Sequence, residues 1–178
     1  MHPSLLFVTL LSTLSLMAGE FTLVSNDLSG QLTKKQEFSG FGCSGENISP
    51  TLSWSNAPKA TKSFAITVYD PDAPTGSGWW HWVVFNIPVN VNSLPSDFGN
   101  MAKKHSINAI QSITDFGKTG FGGACPPVGD KPHRYYFTVH ALNVDKLDLD
   151  EKASAALVGY MINAHSLGKA TIVSYYGR

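Results

Sequence analysis

The sequence has no excess of either charge. Thirteen Lys and Arg balance thirteen Asp and Glu, so its formal net charge is zero. Such a balance gives no long-range attraction to nucleic acid or to an anionic membrane. Any affinity for an anion must come from local geometry. Cysteine is scarce, with Cys43 and Cys125 the only two, which rules out a multiply bridged scaffold and leaves at most one intramolecular pair. No apolar run is long enough for a comfortable membrane span. No internal repeat, low-complexity tract or linker divides the chain. What is present is an ordinary globular composition, 43% hydrophobic and 15% charged over 178 residues, sufficient for one domain with one sizeable core.

The first nineteen residues differ from the rest. Leu5 to Leu16 is apolar apart from Thr and Ser, and the small residues Ala18 and Gly19 follow just before Glu20. This pattern predicts a secretory signal peptide cut near Ala18–Glu20, although Met1–Ser4 holds no Lys or Arg. A buried N-terminal strand or helix is the alternative. On the signal reading the mature protein, residues 20–178, is a single periplasmic or secreted domain. Export permits a Cys43–Cys125 disulfide. The bridge would close a loop of roughly 80 residues, worth about 4–5 kcal/mol on the chain-entropy model. Two buried thiols are the alternative.

Strand signals dominate the mature chain. Phe21–Ser25 alternates apolar and polar residues, and Ser63–Tyr69, Trp80–Ile87 and Tyr135–Ala141 are rich in β-branched and aromatic side chains. Turn-forming clusters lie at Ser44–Pro50, Asp70–Gly78 and Phe116–Pro132. The last is long for a connection, and long ordered loops are often functional. One helix is predicted late in the chain. Asp148 or Asp150 is its expected cap, acidic residues crowd its first turn, Leu157, Tyr160, Met161 and Ala164 fall at helical spacing, and Gly168 is its expected stop. Ala170–Tyr176 returns to a strand, and a short helical turn is expected around Ser96–Met101. The fold class is mainly β, a sandwich or large twisted sheet with a flanking helix. An exposed apolar sheet face in such a fold would support a homodimer.

Three segments carry candidate chemistry. Asp70-Pro-Asp72-Ala-Pro74 follows directly on a strand, so both carboxylates can face a cavity mouth; alone, it also reads as a rigid solvated turn. In Trp79-Trp-His81-Trp82, strict alternation would set His81 on one face with Val83 and Phe85, and Trp80, Trp82 and Val84 on the other; a half-buried core histidine is the plainer reading. In Gly122-Gly-Ala-Cys-Pro-Pro127, the glycines would let successive N–H groups converge as an anion nest. His133 and Tyr135 follow, two apart and on one strand face, and both can donate to an oxyanion. A ligand-free loop before a plain strand is the alternative.

Taken in this order and spacing, the three segments resemble the two signature regions of the phosphatidylethanolamine-binding protein family, and within it the bacterial Raf-kinase-inhibitor-like branch. Gly45-Glu-Asn-Ile-Ser-Pro50, Leu52-Ser-Trp54, Asp115-Phe-Gly117 and Ser154–Gly159 add to the likeness, which runs from about Phe21 to Tyr176. The resemblance implies a β-sandwich with a large central antiparallel sheet, a smaller sheet and a flanking C-terminal helix. It implies a pocket at one end of the strands for phosphate-like or acetate-like anions, with Asp70, His81, Gly123, His133 and Tyr135 in the pocket, Asp72 and Pro126 at the rim, and Trp82 beside His81. An Asp beside a His there would fix its tautomer and favour the imidazolium form. Cys125 stands where the animal proteins carry a glycine. The Thr75–Gly78 loop is short and lacks the tyrosine that animal members place near the pocket, and no long helix follows Tyr176.

The expected role is therefore a non-catalytic binding protein for a small anionic ligand or phosphorylated headgroup, needing no cofactor and no metal. A protein-interaction or protease- or kinase-inhibitor role, through the pocket rim, is the alternative. A hydrolase holding zinc on Asp70, Asp72, His81 and His133 ranks third, because their spacing matches no standard metal motif. A Cys43–Cys125 bridge would tie the Gly45–Pro50 turn to the pocket loop.

Overall fold

The computed structural model describes residues 19–178; the predicted signal segment lies almost wholly outside them. The strands are β1 (Thr22–Val24), β2 (Ser39–Gly40), β3 (Cys43–Ser44), β4 (Leu52–Ser55), β5 (Ser63–Asp70), β6 (Trp79–Pro88), β7 (Ser93–Leu94), β8 (Ile110–Gln111), β9 (His133–Leu142) and β10 (Ser166–Tyr176), with one helix, α1 (Ala155–His165), before β10. β10, β9, β5, β6 and β8 form a five-stranded antiparallel sheet in that order. β1, β4 and β7 form a second sheet, and β2–β3 is a separate hairpin.

The central strands β5 and β9 are buried on both faces, which is why they read as nearly continuous apolar runs. One face sends Phe64, Ile66, Val68, Phe137 and Val139, with Trp82 and Val84 of β6, against Leu52, Trp54 and Leu94 of the small sheet. The other sends Ala65, Val83, Phe85 and Leu142 against Val158 and Ile162 of α1. Two layers on one sheet and a helix behind it give the expected sandwich.

Several local expectations are corrected. Ser154, not Asp148 or Asp150, caps α1: its hydroxyl accepts from the Leu157 amide at 3.3 Å, and the first turn holds no acidic residue. The buried stripe is Ala155, Val158 and Ile162, whereas Leu157 and Tyr160 are exposed. Both stripes satisfy helical spacing; contact with Val83, Phe85 and Leu142 decides between them. The helix closes at Ser166, and Gly168 instead sits inside β10 at a register shift. Residues 96–99 form turns rather than a helix, pinned by Ser49, whose carbonyl and hydroxyl accept from the Asp97 and Gly99 amides.

The alternation expected over Trp79–Phe85 also fails, beside His81. Val68 pairs with Trp82 but Tyr69 pairs with Trp80, so His81 is an extra residue opposite β5. This bulge puts Trp80 with the cluster containing Val83 and Phe85, and turns His81 away from it. Bulges re-aim single side chains in this way, often beside functional sites.

Candidate functional site

Antiparallel pairing brings the C-terminal end of β5 beside the N-terminal ends of β6 and β9. Asp70 pairs with Trp79, and Tyr69 with both Trp80 and Tyr136. Asp70, His81, His133 and Tyr135 therefore meet at one end of the sheet, although 65 positions of sequence separate the first from the last. They line a cavity of about 210 Å³ with Pro126. That volume falls below the usual range for drug-sized ligands and suits a small one.

Asp70 is fully engaged. Its Oδ1 accepts from the Asp72 and Ala73 amides at 2.8 and 3.1 Å, closing the turn that the prolines at 71 and 74 stiffen. Its Oδ2 accepts from Nδ1–H of His133 at 2.8 Å. The other ring nitrogen of His133, Nε2, lies 3.5 Å from Asp130 Oδ2. Both nitrogens of this buried imidazole thus point at carboxylates.

His81 differs. Its Nδ1 donates to the Gly122 carbonyl at 2.7 Å, which fixes the proton on Nδ1 because a carbonyl only accepts. Nε2 has no partner among the described residues. Burial lowers the pKa of this imidazole; the hydrogen bond to Gly122 and the charge of Asp70 only partly oppose it. The neutral ring is favoured, with its lone pair at Nε2. Its faces meet Tyr135 and Phe116 edge-on, at centroid distances of 5.1 and 5.4 Å.

Tyr135 supplies the other unpaired group. Its hydroxyl is buried and has no hydrogen-bond partner. Burial first, and the Asp70 charge second, push its pKa well above the usual phenol range, so it stays protonated. An orphaned buried hydroxyl costs roughly 1–3 kcal/mol, which is tolerable where a ligand is to complete the bond.

Three predicted site residues lie outside the cavity lining. Asp72 makes a two-pronged pair with Arg134, Nε to Oδ2 and Nη2 to Oδ1, both at 2.8 Å. Those hydrogen bonds hold its carboxyl well below the usual range against the opposing effect of burial. Trp82 is wholly buried in the core, its indole N–H donating to Gln111 at 2.7 Å. Gly123 gives its amide to Asn47 Oδ1 at 2.7 Å. The neighbouring amides are occupied as well: Gly122 donates to the His81 carbonyl and Ala124 to that of Gln36. The expected anion nest is therefore corrected. Glycine is required at 123 for close approach, since a Cβ there would collide with the Gln36 carbonyl.

Three aromatic residues of the wall had no expected place in the site. Trp79 and Phe116 line the cavity, as does Phe41, which is 70% exposed and stacks on Phe116 at 5.8 Å. Trp79 and Phe116 stood inside quoted motifs; Phe41, at the left-handed tip of the β2–β3 hairpin (φ 53°), gave no signal. The hairpin is tied down twice. Cys43 bonds to Cys125, which itself lines the cavity. Arg178 donates to the Gly42 and Pro126 carbonyls at 2.9 and 2.6 Å. Among the described residues, no group of three or more His, Cys, Asp and Glu side chains is arranged to hold a metal ion, and no helix is long and apolar enough to cross a membrane.

The chain was compared with known proteins. A family model described as phosphatidylethanolamine-binding protein matches residues 28–177. The UPF0098 protein YbcL of Escherichia coli K12 is 54% identical over 167 residues, 92% of this chain and 91% of the relative. The UPF0098 protein YbhB of the same organism is 51% identical over 156 residues, 86% and 98% of the two chains. The crystal structure of E. coli YbcL, described as a new member of the mammalian PEBP family, superposes with a TM-score of 0.87, covering 90% of this chain and 99% of that one. A putative PEBP homolog from Chlamydia trachomatis superposes with a TM-score of 0.73 at 30% identity, covering 89% and 97%.

Proposed function

Because the chain belongs to the phosphatidylethanolamine-binding protein family, we propose that it is a non-catalytic binding protein whose cavity takes a small anion of phosphate or headgroup type. The observation that carries this reading is a pair of polar groups without a hydrogen-bond partner, Tyr135 Oη and His81 Nε2, in a cavity that aromatic rings and prolines wall beside the Asp70–His133 pair. The hydroxyl is a ready donor to an oxyanion. His133, clamped by Asp70, holds the adjoining wall in place. The apolar rim formed by Trp79, Phe116 and Phe41 would shelter the uncharged part of a headgroup.

We propose export to the periplasm or outside the cell for the same protein. The Cys43–Cys125 bridge supports it, because such bonds persist in oxidising compartments. An interaction with a protein partner is the second reading. It is favoured by one observation, the exposure of Phe41 at the cavity mouth. Calorimetric titration with phosphate, phosphoethanolamine and acetate tests the main reading. Binding should weaken about tenfold, or 1.4 kcal/mol, in Tyr135→Phe, the size expected for one hydrogen bond to a charged group. Equal affinities in wild type and variant would remove Tyr135 from the ligand site.

A further inference from the structure

We infer that the cavity selects an oxyanion that still carries a proton, such as singly charged dihydrogen phosphate, and rejects an oxyanion of the same size that carries none, with His81 setting this preference. The inference rests on the anion-binding reading above and narrows it.

Tyr135 Oη and His81 Nε2 are cavity groups without a hydrogen-bond partner among the described residues. The tautomer of His81 is fixed by the Gly122 carbonyl, so a neutral ring offers Nε2 as an acceptor, not a donor. The ionisable groups facing this ring are Asp70 from the end of β5, His133 and Tyr135 from β9, and Asp115 from the segment after β8. The two carboxylates favour an imidazolium, but burial between the Tyr135 and Phe116 rings outweighs them.

The remaining charges point the same way. Among the described residues no Lys or Arg lines the cavity, and the amides of Gly122, Gly123 and Ala124 are bonded elsewhere. A fully deprotonated oxyanion would meet a lone pair at Nε2 and the nearby Asp70 carboxylate, with the Tyr135 hydroxyl in its favour. A protonated oxyanion donates its O–H to Nε2 and accepts from Tyr135. A site built to receive a ligand's hydrogen discriminates sharply against an isostere that lacks it, because the buried acceptor is then left unpaired.

The test is calorimetric titration of the full chain with inorganic phosphate and with sulfate, equal in size but fully deprotonated, across pH 5.5 to 8.5. Phosphate should bind at least about tenfold tighter than sulfate at pH 6.5. Its affinity should fall as pH rises through its second ionisation, because the doubly charged form keeps an O–H for Nε2 but brings a second negative charge beside Asp70. In His81→Gln, whose amide can turn a donor to the ligand, the preference for phosphate should shrink to within about threefold. Equal binding of the two anions by wild type, or phosphate affinity that rises with pH, overturns the inference and leaves the anion reading intact. A preference undiminished in His81→Gln overturns the role of His81. Binding of neither anion overturns the anion reading itself. The wild-type comparison decides the matter even if the variant fails to fold.

Discussion

Removing the Cys43–Cys125 bridge, as Cys43→Ser with Cys125→Ser, should cost this protein much of its stability and little of its ligand affinity. The two cysteines are 82 positions apart. On the chain-entropy relation, a loop of that length contributes about 4.5 kcal/mol by restricting the unfolded chain. Against a typical domain stability of about 5–15 kcal/mol this is a large fraction. With a urea m-value of about 2 kcal/mol/M, the unfolding midpoint should fall by about 2 M, and m should rise because the uncrosslinked chain exposes more surface. The folded site has a second tether. Arg178 holds the carbonyls of Gly42 and Pro126, and so keeps the Phe41 hairpin against the pocket loop. Ligand affinity should therefore change less than threefold until Arg178→Ala is added, when the coupling between the two changes should appear in a double-mutant cycle. A midpoint shift below about 0.5 M with unchanged m would refute the unfolded-state account of this bridge.

Tyr135→Phe should leave thermal stability unchanged or raised, because it deletes a buried hydroxyl that has no partner; a drop in Tm of more than a few degrees would mean that the hydroxyl is bonded in the free protein. Gly123→Ala should destabilise by roughly 2–3 kcal/mol, since its Cβ meets the backbone at Gln36 and not a movable side-chain tip; chemical denaturation reads this directly. His140, paired with Thr67 in the sheet, is held down to about 4 by burial and then by Lys169. Its folded pKa lies below its unfolded one, so its contribution is complete above pH 6.5 and is lost as pH falls through 4, on the order of 3 kcal/mol. Stability measured from pH 7 to 4 should flatten in His140→Gln. For Glu37, burial would raise the pKa, but Lys34, the Tyr176 hydroxyl and the Ser44 amide prevail and hold it at about 2. Its contribution is complete above pH 4.5 and is lost as pH falls through 2, and Glu37→Gln should remove that second limb of acid unfolding.

The large strands were legible because β5, β6 and β9 carry long runs of β-branched and aromatic residues, and the structure extends them by one, two and three positions. The helix was legible as an element but not in its orientation. Its exposed Leu157 and Tyr160 keep the same periodicity as its buried Val158 and Ile162, and only the sheet beneath distinguishes them. The aim of His81 was not legible at all. It depends on a bulge whose cause is the pairing of β6 with β5, a contact that local alternation does not encode.

The site shows the same division between what a motif names and what a fold places. The resemblance grouped Asp72, Trp82 and Gly123 with Asp70, His81 and His133, because a motif records which residues stand together and not which of them face the ligand. The hydrogen bonds separate the two sets. Asp72 grips Arg134, which lies between His133 and Tyr135 on β9 and so fixes the start of that strand. Trp82 anchors β6 to Gln111 one residue beyond the bulge that turns His81. Gly123 lets the pocket loop lie against Gln36 and hands its amide to Asn47. Each holds in register a neighbour that lines the cavity. On the proposed anion-binding reading, substitutions at these three positions should change affinity only through geometry, and those at His81 and Tyr135 through the bond itself.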